Sequence, residues 1–320
     1  MAVQPTITVN NTDKVKNSNV KLENVDVVDG RLAFKSYEDL RAAYDKMFKN
    51  QKDLNGFESQ FTGFTSQKQA YDSFTEADLQ KTNGDLTPFQ DYVTKETRDG
   101  EVFYERVVVP KLYAQLVNAE GLLQIKDSIY KFVPGLVYAF GVNDLTSYKA
   151  NKNNLSAIPN VQTINFEVKK QKIEVTTRGV LQEVESQCVG DVYEYSGGKQ
   201  YRKIEGCLTT PNPCCFFAWG AEITFEHRKR GFLGRWYAEK TKLTISGTVA
   251  FGVIQYNGQR TMHPDSPKTL NTTDESASSI STLLDYNYSG FEYLYFSPTS
   301  VSFTARQVND GTDFIRNISF

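Results

Sequence analysis

The sequence predicts an α+β chain, with a helical N-terminal half packed on a C-terminal antiparallel β-sandwich or partly closed barrel. Three observations predict it. Apolar residues recur at helical spacing early in the chain, at Leu40, Ala43, Tyr44, Met47 and Phe48. From Val161 to the C-terminus they alternate with period two between turn signals. The composition is rich in Phe (21) and Tyr (18) and poor in Met (3), which favours half-buried pleated strands over helices. At 320 residues the chain divides on this reading into a polar arm over 1–19, a hairpin- and helix-rich region over 20–150 and an antiparallel β domain over 151–320.

The arm is too polar to offset its own ordering entropy. Thr6, Ile7, Thr8 and Val9 form its one strand-like run, stopped by Asn10-Asn11-Thr12-Asp13. The expectation is that this run pairs as a strand, either within its own chain or on the sheet edge of a neighbouring copy. The second case makes a homo-oligomer or open filament. Next, Val20 to Phe34 alternates around Asp29-Gly30, a hairpin turn signal. Ser36 with Asp39 starts a capped amphipathic helix over 37–49. Further helices are expected near 66–80, 87–96 and 101–118, separated by Asn83-Gly84-Asp85 and Thr97-Arg98-Asp99-Gly100.

The run Leu116-Val117-Asn118-Ala119-Glu120-Gly121-Leu122-Leu123-Gln124-Ile125-Lys126-Asp127-Ser128-Ile129-Tyr130-Lys131-Phe132 resembles a segment of uncharacterised exported proteins of Bacteroidota. In those proteins a helix ends in Asn, then comes a Gly, a strand ending in Gln-Ile, a turn, and Ile-Tyr-Lys. Gly30 to Ser36, Asp310-Gly311-Thr312 and Asn317-Ile318 are similar too, whereas Lys126 stands where the resemblance leads one to expect Gly. The resemblance implies an exported protein and carries no activity with it.

In the second half, Ile164, Phe166 and Val168 alternate, as do Ile173, Val175 and Thr177. Trp219, Ala221, Ile223, Phe225 and His227 share one face of a further strand. Leu243, Ile245, Val249, Phe251 and Val253 read as another, with a bulge or close approach at Gly247. Tyr286 and Tyr288, then Tyr293 and Tyr295, form an aromatic stripe whose offset at Ser289-Gly290 suggests a bulge. Val301, Phe303 and Ala305, then Phe314, Arg316 and Ile318, give a terminal hairpin turning at Asn309-Asp310-Gly311.

Cys188, Cys207, Cys214 and Cys215 are the four cysteines, all within one short stretch. Zinc prefers spaced pairs, but Cys214 and Cys215 are adjacent and His227 and His263 are isolated, so no metal site is expected. Reduced core thiols and a Cys–His nucleophile are the other readings. Two disulfides are favoured, with Cys214 and Cys215 reaching separate partners in Cys188 and Cys207 and the order open. That places the protein outside the cell or on its surface, although no signal peptide begins the sequence given.

The formal net charge of −2 carries no global field toward nucleic acid, and no apolar run approaches a membrane span. Arg228, Arg230, Arg235 and Trp236 form the sharpest local cluster, a basic loop with aromatics suited to phosphate, sulfated glycan or nucleic acid. A solvated hairpin end is the plainer reading. The tyrosine stripe suits sugar stacking, or simply cross-strand packing. No hydrolase elbow, phosphate-binding glycine loop or metalloprotease helix is found, and no catalytic residue or cofactor is assigned. The function expected is a non-catalytic exported or surface-attached structural or adhesive protein, self-assembling through its arm. A carbohydrate-binding or carbohydrate-active module using the Tyr-rich sheet is the alternative.

Overall fold

A computed structural model describes residues 20–54, 56–98, 100–108, 111–165, 186–194, 201–209, 219–232, 234–255, 259–287, 292–296, 300–306 and 313–319. The arm with Thr6–Val9, together with Cys214, Cys215 and Tyr288, lies outside them. The chain mixes helix and strand and divides into two units, Met1–Lys95 with Glu105–Phe166 and Glu96–Tyr104 with Glu167–Phe320. The second unit therefore takes a short piece from deep within the N-terminal half.

In chain order the elements begin with β1 (Val25–Val28), β2 (Arg31–Phe34) and the helices α1 (Tyr37–Lys49), α2 (Gln67–Ser73) and α3 (Glu76–Lys81). There follow β3 (Val93–Arg98), β4 (Glu101–Arg106), α4 (Lys111–Leu116), β5 (Leu122–Ile125), β6 (Ser128–Val133), β7 (Leu136–Gly141), α5 (Leu145–Ala150) and β8 (Gln162–Asn165).

The N-terminal half is less helical than its sequence suggested. Its first unit holds a sheet in the order β1-β2-β5-β6-β7-β8, with β2 and β5 parallel and the other pairs antiparallel. The hairpin at Asp29-Gly30 is present, and both residues take positive φ, 47° and 74°, as a tight turn of this hand requires. Helix α1 forms as expected. The Ser36 hydroxyl accepts from the Asp39 N–H at 3.0 Å, and Leu40, Ala43, Tyr44 and Met47 are buried along one stripe. Lys126 adopts φ 52° between β5 and β6, so a lysine occupies the left-handed position that usually takes glycine.

The helices expected near 87–96 and 101–118 give way to a short 3-10 turn at Thr87–Phe89, the strands β3 and β4, and the single helix α4. Gly100, between β3 and β4, takes φ 79°, and Val, Thr, Phe and Tyr stand on either side of it in the sequence. Strand propensity on both sides overrides the weak helical spacing.

A buried polar hub ties the first unit together. Gln67, fully buried, donates from Nε2 to the Asp91 carbonyl at 2.9 Å and accepts the Val108 N–H at 2.7 Å. Beside it the Lys131 ammonium, on β6, donates to Asp91 Oδ1 at 2.5 Å and to the Glu120 carbonyl. Its side chain is 5% exposed and that of Asp91 28%. Burial pulls the Lys131 pKa down, opposed by Asp91 and Glu120. Gly121 makes this closeness feasible. It sits at φ 72°, and a Cβ there would fall 2.8 Å from the Phe132 carbonyl oxygen. At the outer side, Glu120 Oε2 accepts from Lys152 at 3.0 Å and from the Tyr148 hydroxyl at 3.4 Å, while burial pushes the Tyr148 pKa up.

The second unit continues with β9 (Ser186–Glu194), β10 (Tyr201–Thr209), β11 (Trp219–Arg230), β12 (Trp236–Ala238), β13 (Thr241–Val249), β14 (Phe251–Gln255), β15 (Arg260–Met262), β16 (Lys268–Ala277), β17 (Ser279–Asn287), β18 (Glu292–Phe296), β19 (Ser300–Arg306) and β20 (Asp313–Ser319). One sheet runs β3-β4-β12-β11-β10-β9, with β17 also on β11; others run β16-β13-β19-β20 and β15-β14-β18. Ile223, Phe225, Ile280 and Leu284 from the first of these meet Leu243, Ile245, Leu270, Val301, Phe303 and Ala305 from the second in one buried cluster. The Phe225 and Phe303 rings lie 5.1 Å apart within it.

Two strand expectations change. The run from Leu243 to Val253 is two strands, β13 and β14, which part at Ala250 and enter different sheets. The irregularities in pairing fall at Ala221/Glu222 and Thr241/Leu243 rather than at Gly247. The terminal strands pair as expected, with Phe303 opposite Arg316 and Ala305 opposite Phe314, and the expected turn at Asn309-Asp310-Gly311 lies outside the described residues.

Candidate binding surface at the β11–β12 hairpin

The basic–aromatic cluster sits on the hairpin between β11 and β12, and its residues divide into a buried root and an exposed tip. At the root, Trp236 is 1% exposed and pairs in register with Phe103 of β4, their rings stacked 6.4 Å apart. Arg228 is equally buried. Its guanidinium donates to the Tyr104 carbonyl at 3.1 Å, pairs with Glu226, and lies 5.8 Å from the Phe103 ring centre. Arg98 covers the same ring at 4.2 Å. Arginines and aromatic rings therefore alternate across two hairpins, a packing in which each flat guanidinium meets a negative ring face. Tyr104 and Tyr237 pack at 5.0 Å alongside, and Arg235 donates to the Tyr104 hydroxyl at 2.8 Å.

The tip is built differently. The Gly231 N–H donates to the Arg235 carbonyl at 2.8 Å, and the Gly234 N–H donates to the Gly231 carbonyl at 3.0 Å. Gly234 takes φ 71°, with space for a Cβ bounded by the Arg230 side chain at 3.5 Å. Arg230 is exposed. It donates from Nε to the Gly234 carbonyl at 3.3 Å and lies 6.0 Å from the Trp236 ring centre, which holds its guanidinium at the end of the hairpin. Two residues along the turn, Phe232 is 91% exposed. Sequence reasoning singled out the arginines and Trp236 and passed over Phe232. The available signal was an apolar pair between glycines, Gly231-Phe232-Leu233-Gly234, where a hairpin turn ordinarily carries polar residues.

His227, the one candidate base near the cysteines in sequence, is 2% exposed, and its Nδ1–H donates to the Glu239 carbonyl at 3.0 Å. The tyrosine stripe is split between sheets. Tyr286 lies on β17 opposite Gly220, while Tyr293 and Tyr295 lie on β18 opposite Ile254 and Gly252. Cys188 and Cys207 lie on β9 and β10.

A second polar cluster lies at β14–β17. His263 stacks on Phe251 at 4.9 Å, donates from Nε2 to Asp285 at 2.9 Å and accepts the Asp265 N–H at Nδ1 at 3.1 Å. Lys268 donates to the Leu284 carbonyl at 2.9 Å. Burial raises the Asp285 pKa, against the pull of His263, and lowers that of Lys268. Both imidazole nitrogens are thus engaged in holding a turn to a strand.

Among the described residues no group of three His, Cys, Asp or Glu side chains is placed to hold a metal ion, and no helix is long and apolar enough to cross a membrane.

No family model matches the chain, and no curated protein does. Among solved structures it is similar to a DUF4848-family protein of Bacteroides thetaiotaomicron, at 12% identity and TM-score 0.28, over 92% of this chain and all of that one. The KRT10-binding region domain of the pneumococcal serine-rich repeat protein PsrP matches at 10% identity and TM-score 0.16, over 43% of this chain and all of that one. Likeness at this level assigns no function.

Proposed function

We propose that this chain is a non-catalytic, exported or surface-attached adhesive protein that contacts an anionic glycan through the β11–β12 hairpin tip. The observation that carries the reading is Phe232, 91% exposed two residues along the turn from Arg230, whose guanidinium donates to the Gly234 carbonyl, on a hairpin whose root is packed. A ring this exposed on a braced turn gains by stacking on the apolar face of a sugar. A guanidinium on the same turn matches a sulfate or carboxylate with paired N–H donors. The clustered cysteines favour export. The hairpin, rather than the tyrosine stripe, is chosen because Tyr286 and the pair Tyr293 and Tyr295 belong to different sheets.

Heparin is the test ligand and unsulfated dextran the control, each titrated calorimetrically into the full chain. Phe232→Ala and Arg230→Ala are each expected to weaken heparin binding about tenfold or more, as loss of a binding hot spot does. Phe232→Ala should leave the melting temperature unchanged, since the ring covers little in the folded state. Heparin binding that ignores both substitutions, or no binding at all, sinks the proposal.

Assembly through Thr6–Val9 is the second part of the proposal and rests on the sequence. Sedimentation of the full chain should show species larger than a monomer, shifted toward monomer by Ile7→Pro, which removes a ladder donor. Identical distributions for parent and variant would end it.

A further inference from the structure

We propose that Cys188 and Cys207 form a cross-strand disulfide that pins the edge strand β9. The antiparallel register of β9 and β10 sets the Cα of Cys188 directly opposite that of Cys207. Opposed antiparallel residues have Cα atoms about 4.5–5.5 Å apart, inside the roughly 4.4–6.8 Å that a disulfide spans. This pairing replaces the expectation that Cys214 and Cys215 each take one of these two. With four cysteines in the chain, those two are left to each other or remain thiols.

The bond has a physical task here. β9 ends the sheet path among the described residues, with β10 as its neighbour. The adjoining rows pair Val189 with Gly206 and Gly190 with Glu205, so a glycine stands in each. Such rows specify register weakly, because a glycine offers no side chain to the cross-strand contact. A covalent row next to them fixes what side-chain packing leaves loose. In the reaction, the two thiols give up two protons and two electrons. A disulfide-bearing oxidant accepts the electrons through a mixed disulfide, its own S–S bond breaks to two thiols, and one S–S bond forms between Cys188 and Cys207.

The inference stands apart from glycan binding and has its own readout. The full chain is equilibrated in a glutathione redox buffer, its remaining thiols are alkylated, and its peptides are mapped without reduction. A peptide pair joined at Cys188 and Cys207 is expected. Either residue linked to Cys214 or Cys215, or alkylated in full, overturns the proposal. In the oxidised protein Cys207→Ser should lower the melting midpoint of the second unit by about 6–12 °C, as opening a closed loop of about 20 residues would. Cys188→Ser should do the same, and the double variant no more, since one bond is lost in each case. Reductant should bring the parent down to the variants. Single variants that melt with the oxidised parent would rule the bond out even if the mapping were ambiguous.

Discussion

Asp91→Ala is expected to destabilise the first unit by about 3–5 kcal/mol, the usual cost of stripping one partner from a buried ion pair. The remaining Lys131 ammonium would keep the Glu120 carbonyl but lose the carboxylate 2.5 Å away, in a site where its side chain is 5% exposed. Lys131→Met placed in the same chain should restore much of the loss, because it removes the stranded charge and keeps the volume. Urea unfolding of the parent, both single variants and the double variant measures the coupling directly. Equal stability of parent and Asp91→Ala would show that water already solvates the ammonium. The pH dependence has a definite sign. Burial lowers the Lys131 pKa below its ordinary 10.5, so between the two values the unfolded chain binds more protons than the folded one. The lysine's destabilising contribution is full below its folded pKa, and stability rises with pH through that window. Lys131→Met should abolish this rise.

Phe225→Ala and Phe303→Ala should each cost the second unit about 3–5 kcal/mol. Both rings are fully buried, come from different sheets and face each other at 5.1 Å, so either truncation opens a cavity in the cluster that the sheets share. Because the rings touch, the double variant should lose less than the sum of the single losses. Denaturant midpoints at constant slope provide the comparison. Losses under about 1 kcal/mol would mean that the sheets close over the gap.

The features legible in the sequence were those settled by a few adjacent residues. Ser36 with Asp39 marked the start of α1, Asp29-Gly30 its preceding hairpin, and the alternation from Val301 to Ile318 the terminal strand pair. What the sequence hid depends on distant partners. Val93 to Arg106 carries a hairpin that pairs with Trp236 far along the chain, and local spacing read as helix there. The run through Ala250 kept an unbroken alternation while changing sheets, because period two records which side is buried and not which sheet does the burying. At the candidate surface, charge drew attention to Arg228 and Trp236, both of which the fold buries beside Phe103. The exposure of Phe232 follows from the geometry of a turn, which no pattern of apolar spacing reports.

Glu96–Tyr104 belongs to the second unit although about 60 residues of the first follow it in the chain. During synthesis the aromatic hairpin of β3 and β4 leaves the ribosome long before Trp236, its partner in register. At about 5–20 residues per second the gap from Phe103 to Trp236 is a wait of roughly 7–27 s. Throughout that interval Phe103 has no tryptophan to stack on, and one edge of β4 is open to whatever strand is nearby. The nascent chain thus needs shielding at its middle while its end is still being made. For the same reason, a gene cut between the codons for Tyr104 and Glu167 yields two fragments of which the later one lacks a strand pair of its own fold.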